Sequence, residues 1–137
     1  MHATVKLLDG VSFEASAGSG HKVILDGASE NGGKNAGSRP MELILMGLGG
    51  CSAFDVVLIL RKSRQDVTDC VVEIEAERAD VVPKVFTRIH MQFMVSGNDL
   101  IPAKVERAVK LSAEKYCSAS LMLGKVVDIS HDFEIIE

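Results

Sequence analysis

Cys51 and Cys117 stand in the two segments of the chain best suited to reactive thiols, Leu48-Gly49-Gly50-Cys51-Ser52 and Lys115-Tyr116-Cys117-Ser118. A thiolate is a strong nucleophile and can pass through a sulfenic acid to a disulfide, so two thiols brought together make reversible redox chemistry. They are 66 positions apart (117 − 51), so no local loop joins them and only the fold can. A free cysteine with a pKa of about 8.5 is only about 3% thiolate at pH 7, so a cation or helix N-terminal amides must sit beside the sulfur. Cys51 follows two glycines and Cys117 precedes Ser118, a residue of the helix-capping type, and both contexts fit such amides. Plain burial is the competing reading, because free cysteine packs as a small apolar residue.

Asp55, four residues after Cys51, falls on the same helix face as the thiol. A carboxylate that close favours the neutral thiol unless a cation brought from elsewhere pairs with it; the other reading is a polar contact across a helix or subunit interface. Cys70 lies on the inward face of an alternating strand, two places from Val72 and with no positive charge around it, and is excluded from the site. His2, His21, His90 and His131 lack metal-ligand spacing and none pairs with a cysteine, which argues against zinc. His131 is read as a hydrogen-bonded core or interface side chain. Gly18-Ser19-Gly20 and Gly32-Gly33 have neither the phosphate-binding pattern nor a strand-to-helix context, so no nucleotide or other cofactor is expected.

The elements that must position these groups follow from size and patterning. At 137 residues, 47% apolar and 25% charged, the chain suits one domain over 1–137 with a substantial core. Fifteen basic against 19 acidic side chains give −4 with no basic run, which disfavours nucleic acid and anionic membrane as partners. The first 25 residues carry Lys6, Asp9 and Glu14 and no apolar run with a cleavage site, so a cytoplasmic protein is expected, in which any disulfide is transient. Leu43 to Leu60 is an 18-residue run with Asp55 as its only charge, at the short end of a bilayer span. Its glycines and its carboxylate favour a helix in a soluble core or a subunit interface.

Segments 2–8, 11–16 and 21–26, punctuated by Asp9-Gly10, Gly18-Ser19-Gly20 and Asp26-Gly27, predict an N-terminal β-meander. A loop over 29–38 leads to a helix from Pro40 to Arg64, with Ser38 as its cap and Glu42 in its first turn. This helix is apolar nearly all round, which predicts burial on most faces. Each of Gly47, Gly49 and Gly50 costs about 1 kcal/mol of helix propensity relative to Ala, so close approach of another backbone or an opening beside Cys51 is expected. Alternation predicts a strand over Thr68–Ala79 with Cys70, Val72, Ile74 and Ala76 inward, and a second over Val85–Val95 with Val85, Ile89, Met91, Phe93 and Val95 inward. Asp80 to Lys84 joins them, and 96–99 reads as a turn. Pro102 opens a helix whose inner face is Val105, Ala108, Val109, Ser112 and Tyr116, and which delivers Cys117 at its end. Ser118 caps a short further turn through Leu123, Gly124 stops it, and a last strand runs from Val126 to Ile136 with Val127, Ile129, Phe133 and Ile135 inward. Helices not interleaved with parallel strands make this an α+β fold.

Over essentially its whole length the chain resembles the osmotically inducible protein C and organic hydroperoxide resistance family (OsmC/Ohr). The residues that carry this are Pro40-Met41-Glu42-Leu43 with Cys51 eleven places after the proline, the long apolar helix, and Glu114-Lys115-Tyr116-Cys117-Ser118 after a second helix. The stretches 39–52 and 113–118 are most similar to its YhfA-like branch. The resemblance implies an α+β protomer in an intertwined homodimer, the central helices buried between sheets from both chains. It implies that Cys51, as thiolate, attacks the distal oxygen of an organic hydroperoxide, that Cys117 resolves the sulfenic acid as a disulfide, and that a dithiol of lipoyl type reduces it. Glu42 and Asp55 are the candidate tuning residues. The chain departs from the pattern at four points: residues 1–38 contain no Arg to match the family's activating arginine, Met41 stands where its glutamate follows the proline, Ser118 replaces a proline, and Asp55 replaces a small residue. The departures keep open a non-enzymatic reading, a dimeric ligand-binding or redox-sensing stress protein holding an apolar molecule.

Overall fold

The computed structural model describes all 137 residues, and the chain divides into two compact units, Met1–Met46 and Gly47–Glu137. In the first, β1 (Ala3–Asp9), β2 (Ser12–Ala17) and β3 (Lys22–Leu25) form the expected antiparallel meander in the order β1-β2-β3. Gly10 turns the first hairpin at φ +56, a conformation that side chains with a Cβ rarely adopt.

The loop after β3 is wound around one carboxylate. Asp26 is buried and accepts hydrogen bonds from the backbone N–H groups of Gly27 (2.7 Å), Lys34 (3.0 Å) and Ala36 (3.1 Å). The chain passes so close to itself that a Cβ on Gly33 would overlap the Gly27 carbonyl and one on Gly37 the Ile24 carbonyl. Ser38 does not cap the following helix. Its backbone is tied to β3, donating to the Ile24 carbonyl at 3.2 Å and accepting from the Asp26 amide at 3.1 Å. Glu42 does the capping by reaching back to accept from the Arg39 amide at 2.8 Å, one half of a capping box.

Helix α1 (Pro40–Lys62) runs unbroken from the end of the first unit into the second. In the second unit, β4 (Asp66–Arg78) and β5 (Phe86–Asn98) pair antiparallel, and β6 (Asp128–Ile136) adds parallel to β5. Between β5 and β6 lie α2 (Pro102–Leu111), a π turn over Ser112–Tyr116, and α3 (Ser118–Leu123). The core is built from Leu48, Val56 and Leu60 of α1, Ile89, Met91, Phe93 and Val95 of β5, and Val105, Ala108 and Val109 of α2.

Several expectations about side-chain direction are corrected, each for a local reason. Burial of α1 on most faces is not observed within the chain. Its buried stripe is Leu48, Ser52, Val56 and Leu60, one residue per turn, with Gly49 beside it, while Phe54 is 66% exposed and Leu58 is exposed too. This chain supplies cover for one face of the helix only, and α1 has the length and apolarity to cross a membrane. Gly49 does answer to close approach, from a side chain rather than a backbone: its Cβ would lie 2.8 Å from Ile74 Cδ1, whereas Gly47 and Gly50 face open space.

On β5, Phe86 is buried in place of Val85, which is exposed. The pairing jumps from Glu77 opposite Arg88 to Arg78 opposite Phe86, so Thr87 is an extra residue that reverses the alternation. The strand continues through Asn98, where a turn was expected, because Gly97 lets the Asp66 carbonyl come closer than a Cβ would allow. Tyr116 is 50% exposed rather than inward. The i→i+5 turn, closed by the Cys117 amide on the Ser112 carbonyl at 2.9 Å, inserts a residue and swings Tyr116 out and Cys117 in.

The Asp26 loop makes a prediction for pH. The Ala36 amide above all, with Gly27 and Lys34, holds the Asp26 carboxyl below the usual carboxylate range. A carboxylate with a depressed folded pKa stabilises fully above its unfolded value of about 3.9 and loses that contribution as pH falls through the folded one. Amide exchange at Lys34 and Ala36 is therefore expected to stay slow down to about pH 4 and quicken below it. In Asp26→Ala both amides exchange fast at every pH, and unchanged protection in that variant would refute the role given to this side chain.

Candidate active site

Three side chains remote in sequence meet in the second unit. Cys51 lies in the middle of α1, Asp55 one turn further along, and Cys117 at the junction of the π turn and α3; the two sulfurs and an Asp55 oxygen all lie within 4.8 Å of one another. The expectation that Asp55 shares a face with Cys51 holds. So does the expectation that only the fold could pair the two thiols.

The thiols have different surroundings. Cys117 is 0% exposed, and it rather than Ser118 is the N-cap of α3, its sulfur accepting from the Ser120 N–H at 3.3 Å. Ser52 Oγ lies 3.1 Å from the same sulfur and 3.9 Å from Met91 Sδ. Ser112 Oγ donates to the Ser52 carbonyl at 3.2 Å, tying the π turn to α1. Burial pushes the Cys117 thiol up; the Ser52 and Ser120 bonds pull the other way, Cys51 adds to the rise, and burial prevails. Cys117 is thus a neutral thiol at physiological pH. Cys51 is half-buried, and a molecule arriving from solvent reaches it first. Being mid-helix, it has no free N-terminal amides of its own helix beside it, contrary to the expectation drawn from Gly49-Gly50.

Asp55 has a second peculiarity. Its Oδ2 is buried without a hydrogen-bond partner, and no Lys or Arg of the chain pairs with it. Lys62 and Arg107 do line the same open cleft of about 440 Å³, with Leu58, Leu111 and Tyr116, so the cations expected from elsewhere face the cleft without engaging the carboxylate. Glu42, the other candidate tuning residue, has its carboxylate engaged by the Arg39 amide.

Cys70 stays outside the site, though not for want of charge. It lines a separate cleft of about 450 Å³ with Gly50, Phe54, Val57 and Arg61, and its thiol is pushed up by burial first and then by Asp69. His131 is half-buried on β6. Hydrogen bonds are made instead by His90, whose Nδ1 lies 2.7 Å from Ser130 Oγ, and by His2, whose Nε2 lies 3.2 Å from Thr4 Oγ1.

Sequence reasoning missed the roles of Ser52 and Ser120, which contact the Cys117 sulfur, and of Ser112, which holds the Ser52 carbonyl. A signal existed for two of them. Ser52 continues the apolar stripe 48, 56, 60 and Ser112 continues the inner face of α2, and a buried serine in such a stripe needs a polar partner.

Comparison with known proteins agrees with this architecture. The family model described as OsmC-like protein matches residues 32–132. Protein YhfA of Escherichia coli (strain K12) is 52% identical over 136 residues, which is 99% of this chain and 98% of the relative. An OsmC-like protein from Mycoplasma pneumoniae superposes with a TM-score of 0.84 at 13% identity, covering 99% of this chain and 96% of that one. An organic hydroperoxide resistance protein OsmC from Legionella pneumophila gives a TM-score of 0.69 at 18% identity, covering 98% and 97%. At such identities the structural matches establish the fold.

The unequal thiols predict an order of reactivity. With a disulfide reagent at neutral pH, Cys51 is expected to react first and Cys117 at least about tenfold more slowly, since both thiolate fraction and access limit attack. In a Cys51→Ser background, thiolate absorbance should titrate above the ordinary cysteine range, and adding Ser52→Ala should move it higher still, because the serine bond favours the thiolate. A downward shift on removing Ser52 would contradict that assignment.

Proposed function

The chain belongs to the OsmC-like protein family, and from its paired thiols we propose that it is a cysteine-based peroxidase that reduces organic hydroperoxides in the cytoplasm. The observation that carries this reading is the pair of sulfurs within 4.8 Å of each other, one half-exposed and one fully buried. The Cys51 thiolate attacks the distal oxygen of ROOH; an S–O bond forms, the O–O bond breaks, and the alkoxide leaves and takes up a proton as ROH. Cys51 is then a sulfenic acid. The Cys117 thiol condenses with it, releasing water and leaving a disulfide, and a dithiol of lipoyl type reduces the disulfide by exchange and is itself oxidised. Burial suits Cys117 to this second step, because a shielded neutral thiol does not compete for peroxide yet is close enough to capture the sulfenic acid.

A second reading has one observation in its favour. Residues 1–38 hold no arginine to activate the nucleophile. A dimeric redox-sensing or ligand-binding stress protein would use the same pair as a slow switch, with an apolar molecule in its pocket. Under either reading the exposed apolar face of α1, Phe54 above all, is covered by a second copy of the chain rather than by a membrane or nucleic acid.

Two experiments separate these possibilities. One equivalent of an organic hydroperoxide added to the reduced protein should consume two thiols and give a Cys51–Cys117 disulfide by intact mass, at least about a hundredfold faster than a free thiol reacts. Cys117→Ser should stop at a Cys51 sulfenic acid, and Cys51→Ser should lose the fast phase; consumption at the rate of a free thiol leaves only the switch. Sedimentation is expected to give a dimer for the parent chain and a monomer for Phe54→Glu, and a parent that sediments as a monomer removes the shared interface from both readings.

A further inference from the structure

The buried oxygen of Asp55 has no role in the peroxide steps. An unpartnered carboxylate oxygen out of water is costly, so an arrangement that keeps one needs a partner for it. The atoms closest in kind are two thiol sulfurs within 4.8 Å, so two soft donors and one hard donor converge on one point. We propose that Cys51 Sγ, Cys117 Sγ and a carboxylate oxygen of Asp55 form a binding site for a single zinc ion in the reduced protein.

The geometry is close to what zinc requires. With Zn–S bonds of about 2.3 Å and a Zn–O bond of about 2.0 Å, tetrahedral coordination sets the sulfurs about 3.8 Å apart and each sulfur about 3.5 Å from the oxygen. The observed spacing of at most 4.8 Å therefore closes by at most about 1.3 Å through side-chain rotation. The donor set also selects the metal. Two thiolates exclude calcium and magnesium, and the carboxylate favours the borderline zinc ion over copper(I), which prefers sulfur alone. Three protein ligands leave a fourth position for water or a small ligand.

Supporting contacts are in place. Ser120 N–H and Ser52 Oγ already point at the Cys117 sulfur, and bonds of this kind orient a thiolate ligand and stabilise its charge. On binding, both thiols release a proton to solvent as the Zn–S bonds form, and no electrons move. Oxidation of the same sulfurs to a disulfide removes two of the three ligands, so metal binding and disulfide formation exclude each other. Histidine spacing gave no hint of this site, because its ligands come from two helix segments 66 residues apart and include no histidine. The inference does not depend on the peroxidase reading, since coordination needs no peroxide.

The test is a competition titration of reduced, chelator-stripped protein with zinc against a chromophoric chelator, without oxygen. One zinc per chain is expected, with affinity lowered at least about tenfold in Asp55→Asn and unchanged in Cys70→Ser. The parent protein oxidised with diamide should bind none, and reduction should restore binding, which tests the sulfur ligands without any substitution. Cobalt should give thiolate charge-transfer bands and tetrahedral ligand-field bands in the parent, and circular dichroism confirms that each variant is folded. Failure of reduced parent protein to bind, equal affinity in Asp55→Asn, or loss of binding in Cys70→Ser overturns the site; peroxide kinetics on metal-free protein are scored separately.

Discussion

The second unit is organised by one packing constraint, the stripe Leu48, Ser52, Val56 and Leu60 of α1 held out of water. Each fully buried aliphatic side chain there contributes about 1.5–3 kcal/mol, so the rotation of the helix about its axis is fixed. Cys51 and Asp55 each precede a stripe residue, Ser52 and Val56. They therefore emerge at the edge of the buried face, close enough to the core to meet Cys117 and open enough to be reached. A rotation that buried Cys51 fully would expose Leu60 or Val56, and hydrophobic burial forbids it.

Ser52 is where packing and chemistry meet. A larger apolar residue at this place in the stripe would fill the space occupied by the Cys117 sulfur, and a smaller one would leave that sulfur without its 3.1 Å neighbour. Its hydroxyl answers a buried thiol and its carbonyl answers Ser112, so a buried polar residue is satisfied on both sides. The π turn belongs to the same device. Without its extra residue Tyr116 would continue the inner face of α2 and Cys117 would lie off it, away from Ser52.

The alternation of β4 and β5, the meander, Pro40 at the helix start and the order of elements were all legible in the sequence, because each rests on a local period or a local turn signal. Two errors of side-chain direction fell where a single residue changes the count. Thr87 in β5 and the extra residue of the π turn each reverse a face, and periodicity alone does not locate an insertion. The chemistry was legible in part for the same kind of reason. Asp55 could be placed beside Cys51 by helical spacing, whereas its lack of a partner is a property of the folded surroundings. The all-round apolarity of α1 was read as burial, yet composition alone does not say which faces of a helix its own chain covers.

Charge sets the remaining logic of the site. Two thiols and a carboxylate within 4.8 Å cannot all be ionised without a positive charge among them, since like charges at that range in a partly buried setting repel strongly. Of the three groups Cys117 is the one held neutral by its surroundings, because burial pushes its thiol up. The cations nearest to hand are Lys62 and Arg107, which line the same cleft as Asp55. A divalent cation meets the same need more fully by sitting between the three donors, and it does so by occupying the sulfurs that peroxide would oxidise. Both uses of the cluster draw on the reduced thiols, so a bound cation and a Cys51–Cys117 disulfide are mutually exclusive occupants of one set of atoms.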